Sequence, residues 1–206
     1  MRPIQIITPS FAAAVTDSVA AAQTLGAAGD LTLVSPTVTL DPPCYVTITS
    51  VGDETGVNFT VTGTGPSGQT QSETLAGGNA GTVTTDLTFA TITSISADAA
   101  TSDDVEVGNA QSGYSAWMPL DIYTPNQVTS ISASVNGTVD YSIEYTNEDP
   151  FDNSFVHQAV AHPDSTFTTC AVDHTAFTTT LMRAVRYVIN SGDGTIRLTI
   201  TQQSTA

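Results

Sequence analysis

The feature that most constrains this chain is a period of two. Val57, Phe59 and Val61 alternate with Asn58, Thr60 and Thr62, and Ile196, Leu198 and Ile200 alternate with Thr195, Arg197 and Thr199. Successive side chains of a strand point to opposite faces, so each run makes one apolar and one polar face. Residues 45–51, 128–135, 139–145 and 181–190 read the same way, and 83–89, 91–97 and 103–107 are further strand candidates. Turn-forming clusters at 52–56, 63–68, 77–81 and 191–194 separate them. Asn136-Gly137 between two alternating runs predicts a two-residue hairpin turn.

Strands with one apolar face bury it best when two sheets pack face to face. At 206 residues the chain has room for two such cores. The expected fold is all-β: two tandem β-sandwich (Ig-like) domains preceded by an extended N-terminal arm. The expected bounds are 1–30 for the arm, 31–112 for the first sandwich, 113–126 for a connector, and 127–206 for the second sandwich with a 147–176 excursion. Within the arm, Ile4, Ile6 and Ile7 suggest a short strand. Residues 10–23 are rich in Ala, so a helix there would bury little area. An extended arm lying on a neighbouring subunit fits equally well.

The two halves rhyme. Residues 46–51 (VTITSV), 91–95 (TITSI) and 128–131 (VTSI) are alike, and Thr84-Thr85-Asp86-Leu87 resembles Thr178-Thr179-Thr180-Leu181. An internal duplication accounts for both matches, although strand-favouring Thr produces some of this likeness by itself.

Charge narrows the function. The chain has four Arg, no Lys and a net charge of −16. Such a surface repels phosphate backbones and anionic lipid, so neither nucleic acid nor membrane is an expected partner. Arg2, Pro3 and an Ala-rich run broken by Asp17 do not make a secretory signal, and no apolar run reaches membrane-spanning length. Cys44 and Cys170 lie far apart in the sequence, which favours free thiols over a disulfide framework.

Reactive groups are few. His157, His162, Asp164, Cys170, Asp173 and His174 offer zinc-type ligands without a rigid spacing, and a polar loop is the plainer reading. Residues 147–153 (NEDPFDN) gather oxygen ligands but lack the spaced calcium-loop pattern. Asp53-Glu54 and Asp103-Asp104 fall in turns and read as solvated acids. No G-x-S-x-G string is present, and the Gly-rich string at 77–81 lacks the Lys of a phosphate loop. No catalytic residue, metal or cofactor is expected. Candidate interface residues are Arg2, Ile4, Phe11, Tyr114, Trp117, Tyr123, Arg183, Arg186 and Arg197. They combine the arm, the aromatic connector and the scarce cations that could meet a neighbour's carboxylates.

The string FTVTGTGPSGQTQSETLAGGNAGTV, preceded by VTITSVGDETGV, resembles virion structural proteins of tailed bacteriophages, with a TGT-x-x-x-G-x-x-x-x-E-T-L strand-turn-strand pattern. YTNEDPFD, AVR and NSGDGT at 145–152, 184–186 and 190–195 extend the likeness over most of residues 44–202. The resemblance implies a non-enzymatic, multi-copy particle component with β-sandwich folds. A head decoration (cement) protein fits the length, the acidity and the arm. A tail-tube, neck or fibre-base component is the alternative, and a carbohydrate-binding adhesion module using Tyr114, Trp117 and Tyr123 is a third reading. The implied partners are the major capsid protein or other virion proteins and further copies of the chain.

Overall fold

The structure is a computed structural model that describes residues 5–123, 127–152 and 156–204. Among these residues the chain is all-β, with one short 3-10 turn at Ser165–Thr168 and no α-helix. The chain forms two compact units. One is Ala13–Gly113; the other joins Met1–Ala12 to Tyr114–Ala206.

The strands, in chain order, are β1 (Gln5–Ile7), β2 (Ser10–Phe11), β3 (Val15–Gln23), β4 (Gly29–Asp30), β5 (Val38–Cys44), β6 (Val46–Ser50), β7 (Asn58–Thr64), β8 (Thr70–Ala76), β9 (Thr82–Thr84) and β10 (Phe89–Ala97). They continue as β11 (Val105–Asn109), β12 (Gly113–Tyr114), β13 (Met118–Pro119), β14 (Gln127–Gly137), β15 (Asp140–Thr146), β16 (Val160–Ala161), β17 (His174–Thr178), β18 (Ala184–Ser191) and β19 (Gly194–Ser204).

In the unit Ala13–Gly113, one sheet runs β3-β11-β6-β9. The other runs β4-β10-β7-β8, with β5 also on β10. Alternation drives the packing: β6 buries Val46, Ile48 and Ser50 and turns Thr47 and Thr49 outward. Both sheets feed one core, in which Val46, Phe59, Val61, Phe89, Ile92, Ile95, Val105 and Val107 are buried. Each such side chain contributes roughly 1.5–3 kcal/mol on burial.

The other unit has the same strand path. Its sheets run β1-β19-β14-β17, with β2 also on β19, and β12-β18-β15-β16, with β13 also on β18. Strands β14 to β19 thus take the places of β6 to β11. Strands β12 and β13 replace β4 and β5, and β1 and β2 replace β3. Ile131, Tyr141, Ile143, Phe167, Ile189, Ile196 and Leu198 are buried in its single core. Two antiparallel sheets around one apolar core are consistent with a β-sandwich. The like strings at 46–51 and 128–131 fall on equivalent strands, as do the two Thr-rich strings after β9 and β17. The 91–95 string lies on β10, whose counterpart is β18, so that likeness reflects strand composition alone.

Several expectations change. Residues 15–23 form a strand, not a helix; β3 pairs with β11 and buries Val19 and Ala20. Small residues suit this position because the backbones come close: a Cβ on Gly108 of β11 would meet the main chain of Thr16. Residues 5–7 and 10–11 also pair within their own chain, on β19. Most of the expected arm is therefore edge strand. The expected connector is paired too, since Met118 and Pro119 lie on β18.

Asn136-Gly137 does not turn a hairpin. β14 and β15 belong to different sheets, and so do β18 and β19. β14 pairs with β19 and β15 with β18, so a two-stranded ribbon bends from one sheet to the other. At the bend Gly137, Gly192 and Gly194 have φ of 111°, 88° and 131°. A Cβ on Gly192 would collide with the Thr138 carbonyl, so Gly is required for the bend. The equivalent bend in the other unit, β6–β7 beside β10–β11, has longer corners, and Glu54 fills it.

Candidate functional site

The expected interface residues that come together are Tyr114, Trp117 and Arg186. β18 buries Val185, Tyr187 and Ile189, which turns Arg186 onto the outer face. β15 places Glu144 directly opposite. Arg186 Nε and a terminal nitrogen both donate to Glu144 Oε2 at 2.8 Å. From the other flank, the Arg186 guanidinium carbon lies 4.1 Å from the Tyr114 ring centroid and 4.5 Å from that of Trp117. The Ser115 N–H donates to the Tyr187 carbonyl at 3.0 Å, which holds the 114–117 segment against β18.

Of the expected 147–176 excursion, Val160 and Ala161 pair with β15 on the same sheet, whereas His174 to Ala176 pair with β14 on the other. His157 meets the Trp117 ring edge-on at 6.2 Å, and its Nε2 lies 2.6 Å from the Asp149 carbonyl oxygen. Asp149 pairs with Arg183 at 2.9 Å and caps the Phe151 N–H, while Glu148 accepts from the Gln158 N–H at 2.6 Å. Two of the oxygen-bearing side chains in 147–153, Glu148 and Asp149, are thus engaged with a cation and amides of the chain; Asn153 lies outside the described residues. Arg183 and Arg186 each pair with a carboxylate of their own chain.

The remaining interface candidates are dispersed. Phe11 is buried and packs edge-on to Tyr187 at 6.0 Å, which makes it a core residue. Tyr123 and Arg197 are exposed. Arg2 and Ile4 lie outside the described residues.

The histidine-rich loop forms a second cluster. Phe167, fully buried, lies 5.0 Å from the His162 ring and 4.8 Å from the His174 ring, edge-on to both. His174 Nε2 lies 3.2 Å from Asp164 Oδ2. His162 Nδ1 accepts from the Asp164 N–H, while its buried Nε2 has no hydrogen-bond partner among the described residues. Burial lowers the His162 pKa, the Asp164 charge opposes that, and His174 adds to it. Asp164 is held below the ordinary carboxylate range by the Thr166 N–H and by His174. Among the described residues, no group of three or more His, Cys, Asp or Glu side chains is disposed to hold a metal ion. Cys44 and Cys170 are free thiols, and burial pushes the Cys44 pKa up to about 12, leaving it a weak nucleophile.

Sequence reasoning missed Glu54. Read as a solvated turn acid, it is 1 % exposed. It accepts hydrogen bonds from the Ser102 N–H, the Asp103 N–H and the hydroxyls of Ser50 and Ser102. Burial raises its pKa, but these donors outweigh burial and leave it lowered. Ser50 is close in sequence, but Ser102 and Asp103 lie some fifty positions away, and no local pattern announces them.

No protein-family model matches the sequence, and no curated protein or solved structure is detectably similar to it.

Proposed function

We propose that this chain is a non-enzymatic structural protein of a tailed-bacteriophage virion. It acts as a decoration protein on the outside of the head, with two Ig-like sandwiches that bridge neighbouring subunits. The observation that carries this reading is the repeated unit. One strand path is built twice, and ionic side chains tie its strands and loops to one another: Arg186 to Glu144 across neighbouring strands, and Arg183 to Asp149 and Glu54 to Ser102 between loops. That is the economy of a spacer or clamp. The phage-like strings add the context, and the charge of −16 keeps such a protein off nucleic acid. Repeated weak contacts on a symmetric shell give avidity without a strong single site.

Immunogold labelling of intact virions from the phage or prophage that encodes the chain tests this. Label spread over the head supports decoration. Label confined to the tail or neck moves the protein to the alternative placement, and unlabelled particles overturn the reading. The carbohydrate-binding reading is less favoured, because the Arg186 guanidinium lies over both the Tyr114 and Trp117 rings. A sugar stacking on that face of either ring would have to displace it.

A further inference from the structure

The two units obtain their edge strand differently. In Ala13–Gly113 the strand beside β11 is β3, part of the same continuous stretch. In the other unit the equivalent place beside β19 is filled by β1 and β2, which lie a whole unit away along the sequence. The connection to β3 is Ala12, Ala13 and Ala14, all exposed. The docked segment is apolar at its anchor: Phe11 sits in the core against Tyr187, with Ile7 packed on the same cluster. Its backbone pairing is short, three residues of β1 and two of β2, both on β19.

We infer that residues 5–11 are an exchangeable strand, which can leave β19 of its own chain and dock on β19 of a second copy. The donated contacts are identical in the closed and exchanged forms, so exchange costs only the entropy of association. A short irregular tether, if it behaves as a flexible linker does, gives the chain's own segment an effective concentration of about the millimolar range. The closed form therefore dominates in dilute solution. Exchange sets in when copies are crowded to that density, as they are when fixed side by side on a surface. The partner is a second copy of this chain, with Phe11 as the anchor. The inference deepens the homo-oligomer of the proposed function, but its test needs only purified protein. Failure here leaves the virion labelling unaffected, and the reverse.

Ser10 faces Thr195 in the β2–β19 pairing, with Ser10 exposed. A Ser10→Cys chain and a Thr195→Cys chain of different tag length are mixed, refolded together and oxidised over a range of concentrations. Exchange gives a reducible mixed dimer whose yield rises at least several-fold as protein approaches about 1 mM. It must exceed the yield from Ser10→Cys mixed with Val51→Cys, since Val51 is exposed and lies on the other unit. Equal yields mean random collision and overturn the inference. The double variant carrying both substitutions reports on docking itself: an internal bond at low concentration shows that the segment reaches β19. An internal bond with no mixed dimer at any concentration overturns exchange. Absence of both bonds overturns the docking on which exchange rests.

Discussion

Glu144 and Arg186 face each other across the β15–β18 ladder, and a single carboxylate oxygen receives two nitrogens at 2.8 Å. The guanidinium also covers two aromatic rings. Lys has neither the flat fork nor the stacking face, so Arg186→Lys is not conservative here. Arg186→Lys and Glu144→Gln are each expected to cost about 1–2 kcal/mol, with Arg186→Ala costing more through lost packing. Urea unfolding midpoints check this. A midpoint for Arg186→Lys equal to the parent's would show that the stack and the fork contribute nothing.

Glu54 is a fastening of a different kind in the other unit, at the corner between β6 and β7. Its folded pKa lies below the ordinary 4.5, so its stabilisation is complete above that pH and fades as pH falls through the lowered value. Glu54→Gln removes the charge behind four hydrogen-bond donors, at an expected cost of about 2 kcal/mol at pH 7. The gap between the parent and Glu54→Gln should then close below pH 4.5. Thermal melts of both proteins from pH 7 to 3 read it directly, and a constant gap would mean that the carboxylate is not the fastening.

His162 acts in the same direction at higher pH. It is buried neutral, with Asp164 and His174 as the titratable groups around it. Its folded pKa lies below the ordinary 6.5, so the unfolded chain takes up the proton first. Stability from this residue is complete above pH 6.5 and falls on acidification, by at most about 1.4 kcal/mol per pH unit. His162→Asn retains an acceptor near the Asp164 N–H and removes the titration. Its melting curve between pH 7 and 5 should be flatter than the parent's, even though its overall stability is lower.

Two glycines separate backbone strain from collision. Gly68 and Gly192 both have positive φ, at 80° and 88°. A Cβ on Gly68 meets nothing within 4 Å, whereas one on Gly192 strikes the Thr138 carbonyl. Gly68→Ala should cost about 1 kcal/mol and Gly192→Ala at least twice that. Similar costs for the two, by chemical denaturation, would show that the ribbon can shift to make room.

Alternation made the strands legible because each exposes one face. Val57, Phe59 and Val61 were readable as an inner face, and Thr60 and Thr62 as an outer one, from spacing alone. Partnership was not legible. Asn136-Gly137 carries a hairpin's composition, yet positive φ at Gly serves a ribbon bend equally well, and only the sheet membership of β14 and β15 distinguishes the two. The Ala-rich stretch at 15–23 misled for a related reason: small side chains lower strand propensity, but here they let β3 lie close against Gly108. At the candidate site, the aromatics and arginines were visible as residue types. Their joining was not, because Tyr114, Glu144 and Arg186 meet only once β12, β15 and β18 are side by side.

The placement of β1 and β2 on β19 also orders events at the ribosome. Residues 5–11 emerge well before their partner strand β19, so the nascent segment waits while the intervening unit is made. Closing so long a span adds little free energy but slows the final step. During that interval Phe11 is exposed, and neighbouring chains on the same message present the same vacancy.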